Sequence, residues 1–427
     1  IEKISFSNGL AWNVDTIRST AILSSGSANA DSLSGWQGID HLFGGSGNDT
    51  LDGGSGDDLI DGGDGNDLIT DHSGLNIMQG GAGNDIIRGR GTFAGGSGDD
   101  QLQAGDAHFG DTYLFQIGDG KDVINDFGYS GLDAITFGAG INPSALPLHR
   151  VGLDLLFFVN ANDQLTIKNW FSSSLYYIEK ISFSNGLAWN VDTIRSTAIL
   201  SSGSANADSL SGWQGIDHLD GADGNDTMSG GGGNDSLFGG SGNDTLSGEA
   251  GDDLIDGGDG NDLITDHSGL NIMQGGAGND IIRGRGTFAG GSGDDQLQAV
   301  DAHFGDTYLF QIGDGKDVIN DFGYSGLDAI VFGGGINASM LWFRKSGADL
   351  EVTRIGSAEG ISIKNWYTSV YQQIERFHSA DGKILANTNV DALVRQMAAF
   401  SPPSLGQMGL SGDYSSALGA VISANWL

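Results

Sequence analysis

Cysteine is absent from the 427 residues. That excludes disulfides, thiol nucleophiles and Cys-based zinc sites. It leaves the compartment open, and it suits a chain that must stay unfolded and unlinked until export. Proline occurs 4 times, and lysine and arginine together 19 times against 55 aspartates and glutamates. The formal charge of −36 argues against nucleic acid or an anionic membrane as partner. A chain so acidic along its whole length repels itself unless cations neutralise it. No apolar run approaches the roughly 18 residues of a membrane-spanning helix; the longest lies near LDLLFFV at 153–159. No signal peptide opens the chain. Neither HExxH nor GxSxG occurs, which removes the zinc-protease and serine-hydrolase readings. No enzyme is expected within this stretch.

What the chain has is glycine, 74 of them, and a beat. Residues 44–69 read GGSGNDTLDGGSGDDLIDGGDGNDLI. The register G-G-x-G-x-D-x-U-x, with U apolar, steps by nine from Gly26 and again from Gly203. Its sixth positions are Asp31, Asp40, Asp49, Asp58, Asp67, Asn76 and Asp85, and then Asp208, Asp217, Asp226, Asp235, Asp244, Asp253, Asp262, Asn271 and Asp280. The eighth positions in the first copy are Leu33, Leu42, Leu51, Ile60, Ile69, Met78 and Ile87. The whole arrangement is duplicated. Residues 1–42 recur as 178–219, 56–104 as 251–299, and 106–135 as 301–330, with the second copy longer by two beats. The chain is therefore expected to open inside a repeated unit, as a fragment would.

Gly and Asp are poor in both helices and strands, so something other than a large core must hold this segment. Two beats make one turn of a coil, with the apolar eighth position pointing inward. Sixth positions two beats apart then stack on one edge, and Asp49 lies over Asp31 and under Asp67. Stacked carboxylates repel unless a hard cation takes oxygen ligands from successive turns. Calcium suits such a site, because it accepts six to eight oxygens in adaptable geometry, backbone carbonyls included; zinc prefers nitrogen and sulfur. Counting one ion for each such Asp pair gives about ten. At ten times its dissociation constant, each would add about 1.4 kcal/mol.

Beyond the GRGTFA patches (89–94 and 284–289), Asp100, Asp111, Asp122 and Asp133 are spaced by 11, as are Asp295, Asp306, Asp317 and Asp328. This predicts a continued coil whose strands are each longer by one inside-outside alternation; an ordinary meander is the alternative. The beats DHSGLNIMQ at 71–79 and 266–274 lack the paired Gly and carry Asn for Asp. They predict a local bulge in place of an ion. Residues 136–194 and 331–392 are aromatic and strand-like, with a hairpin turn at Ser184-Asn185-Gly186, and suit ends that cover an open coil. Trp170 and Trp366 are expected in their cores. Trp36 and Trp213 replace the second glycine of a beat, and the sequence gives no function for them.

The nonapeptide is a known calcium-binding repeat of parallel β-helical proteins, and the chain resembles the RTX (repeats-in-toxin) family, with haemolysin-type calcium-binding repeats. IKNW at 167–170 and 363–366 resembles the haemolysin-type calcium-binding-related domain that follows such arrays. The resemblance implies an all-β fold of two calcium-binding parallel β-rolls at 26–135 and 203–330. Each would be followed by a β-rich cap, at 136–194 and 331–392, with 1–25 the tail of a preceding cap. It implies a secreted protein. Residues 393–427 would be an uncleaved signal read by a type I secretion apparatus; a packed terminal helix is the other reading of those residues. An adhesin or scaffold segment, or the export tail of a toxin or hydrolase, are the alternative functions.

Overall fold

The structure is a computed structural model, and it describes residues 3–5, 11–13, 16, 23–104, 110–128, 133–300, 305–323, 327–407, 409–410 and 412–427. The chain forms two compact units, 1–197 and 198–427.

In the first unit, alternate strands go to two parallel ladders. His41–Ser46 pairs in register with Leu59–Asp64, Leu42 opposite Ile60. Ser32–Ser34 pairs with Thr50–Asp52, Leu33 opposite Leu51. Each strand thus meets the one two beats later, and two beats make one turn. The strand period of two turns each eighth residue inward. Leu42, Leu51, Ile60, Ile69, Met78 and Ile87 are wholly buried, and only Leu33, at the open first rung, is half-buried.

Glycine is dictated by close approach at the first position of the beat. A Cβ on Gly44 would stand 2.3 Å from the Gly62 carbonyl oxygen and 2.4 Å from Asp49 Oδ2. At the second position the requirement is backbone conformation, since Gly45 has φ +106°, a region that side chains disfavour.

The DHSGLNIMQ beat does bulge. Leu68–Ala82 is one long strand whose pairing with Ile86–Ser97 shifts register between Asp71 and Asn76. Before the shift Asp71 faces Gly89, and after it Asn76 faces Gly91, so the turn is shortened there. The coil then continues through the wider Asp spacing. Gln101 pairs with Val123, and Thr112 with Ala134, both parallel. The expectation of longer strands is only partly met. Thr112–Phe115 is a short strand, and turn residues 116–120 take up the rest.

The caps continue the coil. Gln164–Ile167 and Lys180–Phe183 add parallel to Lys121–Asn125 and Ala134–Phe137. The boundary expected between 135 and 136 therefore falls inside a strand. So does that between 330 and 331, inside Ala329–Phe332. Leu148–Val151 and Asp154–Phe158 close the first cap as an antiparallel hairpin, and the hairpin Lys180–Phe183/Ala188–Asn190 ends it. Lys3–Ser5 pairs with Ala11–Asn13 in the register of that same hairpin, Ile4 opposite Trp12 as Ile181 is opposite Trp189. Most of the cap tail expected at 1–25 lies outside the described residues. Trp170 and Trp366 are buried core residues.

The second unit repeats this plan with one more turn, and its end departs from an all-β reading. Helix α1 (Asn387–Met397) buries Val390, Leu393 and Met397, and helix α2 (Gly412–Asn425) buries Leu418 and Ile422. Both join the cluster that holds Trp366 and Phe377. The boundary expected at 392/393 lies inside α1, and the final segment packs as a helix.

Candidate metal centres

Each sixth-position Asp has its backbone inside a turn and its carboxylate folded back into the coil. Beyond the first turn of each roll, one oxygen, Oδ1, accepts the N–H of the Asp one turn earlier; at the start of the second roll Asp217 Oδ1 accepts from Ile199 N–H. Asp31 N–H donates to Asp49 at 2.7 Å, Asp49 to Asp67 at 2.7 Å, Asp67 to Asp85 at 2.8 Å, and Asp40 to Asp58 at 2.6 Å. The second copy repeats it: Asp208 to Asp226, Asp226 to Asp244, Asp244 to Asp262 and Asp262 to Asp280 along one edge, and Asp217 to Asp235 and Asp235 to Asp253 along the other. The two-beat pairing expected from the sequence is thus present as a ladder of charge-assisted hydrogen bonds.

The other oxygen decides the chemistry. Oδ2 of Asp49, Asp58, Asp67, Asp85, Asp226, Asp235, Asp244, Asp253, Asp262 and Asp280 is buried without a hydrogen-bond partner. A buried unsatisfied polar atom costs about 1–3 kcal/mol, more when charged. Four such atoms in the first roll and six in the second are an arrangement a cation resolves. The four remaining predicted residues differ. Ser27 N–H and Oγ donate to Asp31 Oδ2, and Ser204 does the same for Asp208. Trp36 N–H donates to Asp40 Oδ2, and Trp213 N–H to Asp217 Oδ2. These Asp open the two rolls, where backbone donors hold the second oxygen. That is the structural part played by Trp36 and Trp213.

Burial, opposed by the ladder N–H and reinforced by neighbouring carboxylates, pushes Asp85 up to about 7 and Asp262 and Asp280 to about 6 in the metal-free chain. The residues fit a hard cation: orphaned carboxylate oxygens, next-turn carbonyls, and a cradle at each first-position glycine that a Cβ would fill.

Sequence reasoning missed part of this. Asp100, Asp122 and Asp295 also carry an orphaned, buried Oδ2. GGSGDD at 95–100 and at 290–295 opens a full beat and was the available signal for Asp100 and Asp295; Asp122 has no such motif. Asn76 and Asn271 do take the ladder place, accepting from Asp58 and Asp253 at 2.9 Å. At the same bulge, Asp71 stands where a first-position glycine is expected. Its Oδ2 lies 2.0 Å, and that of Asp58 2.8 Å, from the point where a Gly53 Cβ would be. Both oxygens are orphaned, as are those of Asp253 and Asp266. The expected loss of a carboxylate at this beat is made good by Asp71 and Asp266. Asn48 is part of an outer ladder in which its Oδ1 accepts from Asn66 N–H at 3.0 Å.

Residues 37–69, 61–91, 72–102, 202–237, 229–264 and 266–299 match the RTX calcium-binding nonapeptide repeat. The two rolls are built of RTX repeats. Residues 154–193 and 349–388 match the haemolysin-type calcium binding protein related domain, so both caps belong to that class. Among solved structures, the chain is similar to the crystal structure of extracellular lipase LipA from Serratia marcescens. The match has 16% identity and a TM-score of 0.19, and covers 82% of this chain and 40% of that one. So loose a superposition carries no argument about the RTX rolls, whose fold rests on their own strand registers.

Proposed function

We propose that this chain is a calcium-dependent folding segment of a secreted bacterial RTX protein, acting through ion binding and not through catalysis. The observation that carries this reading is the row of orphaned Oδ2 atoms in both rolls. At about 1–3 kcal/mol apiece, their burden is comparable to the roughly 5–15 kcal/mol that stabilises a whole domain. Where calcium is scarce, the acidic chain stays extended and exportable through a type I apparatus. At millimolar calcium outside the cell the rolls close, nucleated at a cap whose core is already apolar. About ten ions, one for each Asp pair two beats apart, is the working stoichiometry. The terminal helix α2 and its flanks would carry the export signal, presented before the helix packs.

The test is far-UV circular dichroism during a calcium titration after EDTA, with magnesium as control. A cooperative gain of β structure with calcium alone is expected. Full β structure in EDTA would overturn the folding switch and leave a static scaffold, as in a surface adhesin. Equal export rates with and without external calcium would separate export from folding.

A further inference from the structure

Outside the nonapeptide turns, the coil gathers carboxylates in a second way. Asp111, Asp126 and Asp133 each place one oxygen within 4.8 Å of the others, and Asp306, Asp321 and Asp328 do the same in the other copy. Among the described residues these are the two such groups of three. All six side chains are at most 3% exposed. Three oxygens no more than 4.8 Å apart lie within about 2.8 Å of a common centre, a little over a calcium–oxygen bond of roughly 2.3–2.6 Å, so one ion reaches all three with a small closure.

The geometry around each group is fixed. Asp111 N–H donates to Asp133 Oδ1 at 2.8 Å, Gly91 N–H to Asp111 Oδ1 at 2.6 Å, and Tyr113 Oη to Asp126 Oδ2 at 2.8 Å. In the second copy Tyr308 Oη donates to Asp321 Oδ2 at 3.0 Å. Asp321 Oδ1 is buried with no hydrogen-bond partner, while its other oxygen is occupied by the tyrosine. A carboxylate held at one end and left bare at the other, between two further carboxylates, is arranged for a cation. The place also matters. Asp133 N–H donates to Glu179, and Asp328 N–H to Glu375, and both glutamates belong to the caps. The ladder of the roll therefore ends on the cap at this group.

We propose that Asp111, Asp126 and Asp133, and likewise Asp306, Asp321 and Asp328, each bind one divalent cation of the calcium type, which fastens the last turn of the roll to its cap. The site is distinct from the nonapeptide turns: Asp126 and Asp321 lie at no sixth position of any beat and enter from the turn after Lys121–Asn125 and Lys316–Asn320. The proposal rests on the calcium reading of the rolls.

The experiment counts ions on the whole chain by native mass spectrometry after folding in calcium. Asp126→Asn and Asp321→Asn are each expected to lose one ion, and the double variant two, with the far-UV spectrum at saturating calcium retained. Tyr113→Phe with Tyr308→Phe keeps the carboxylates and is expected to keep the count. With terbium in place of calcium, it lowers the tyrosine-sensitised emission. An unchanged count in both Asp variants overturns the proposal. Should those variants fail to fold, wild-type crystals grown with terbium decide. An anomalous peak among Asp111, Asp126 and Asp133 supports it, and peaks in the nonapeptide turns with none here overturn it. A chain that binds no calcium anywhere would instead overturn the reading of the rolls.

Discussion

The roll and the cap of each unit solve the same problem with different means. In the roll, one apolar residue per beat forms a single file, Leu42, Leu51, Ile60 and Ile69 in the first copy, and buried carboxylates keep bare oxygens. In the cap, large side chains meet: Trp170 packs against Tyr177 with centroids 4.6 Å apart, and Phe137 lies between Phe157 and Phe183. Cap charges are paired inside the chain, Lys168 with Asp154, Lys364 with Asp349 at 2.8 Å, and Arg354 with Glu359 at 2.8 Å. Among the described residues, the bare buried carboxylate oxygens lie in the rolls and none in the caps. A thin core is enough when the solvent supplies the counter-charge.

The largest expected effect follows from removing that counter-charge. In EDTA, amide hydrogens of 41–104 and 218–299 should exchange orders of magnitude faster than in calcium, while those of 148–167 and 341–377 keep more of their protection. Uniform loss across roll and cap would show that the two do not differ in the way described. Trp366→Ala removes the centre of the second cap and should cost about 3–5 kcal/mol, read from denaturant midpoints in saturating calcium. Because the cap covers the end of the coil, roll and cap should then melt together.

Protons offer a weaker substitute for calcium. Burial pushes Asp71 up to about 7, Asp122 to about 9 and Asp317 to about 8 in the metal-free fold, against an ordinary Asp near 3.9 in the unfolded chain. The folded state then binds more protons than the unfolded one from about pH 4 upward, so its stability falls as pH rises through 7 to 9. The metal-free chain should therefore gain β structure when acidified from pH 8 to pH 5. Over the same range the calcium midpoint should rise, because the ion must displace protons. No gain in the metal-free spectrum would argue that the roll is held by its strands alone.

The smallest effect concerns the backbone. Glu249 holds φ +73° at a second position where the neighbouring beats have Gly240 and Gly258. Glu249→Gly should stabilise the second roll by about 1 kcal/mol, seen as a lower calcium midpoint, and should leave the cap unchanged.

The period of nine was legible because it is local: strand alternation and the glycine turns fix two beats per turn, and that fixes which Asp lies over which. The period alone stacks Asp49, Asp67 and Asp85. The cap tryptophans were equally legible, as large apolar residues in strand-like runs. Where the beat slips, adjacency depends on the path of the chain. Asp71 meets Asp58 at the first-position place over Gly53, immediately before the register shifts. Asp126 meets Asp111 and Asp133 only because the wider turns beyond the bulge wind it beside them.

By itself the sequence determined a repeating coil with one inward apolar residue and one carboxylate per beat, since those follow from period and chemistry alone. The tertiary structure decided which carboxylate oxygens are capped by backbone donors, as in Asp31 and Asp40, and which are left bare. It also decided where the coil passes into the cap. Hydrogen-bond satisfaction is a property of groups brought together from distant turns, and no local pattern records it.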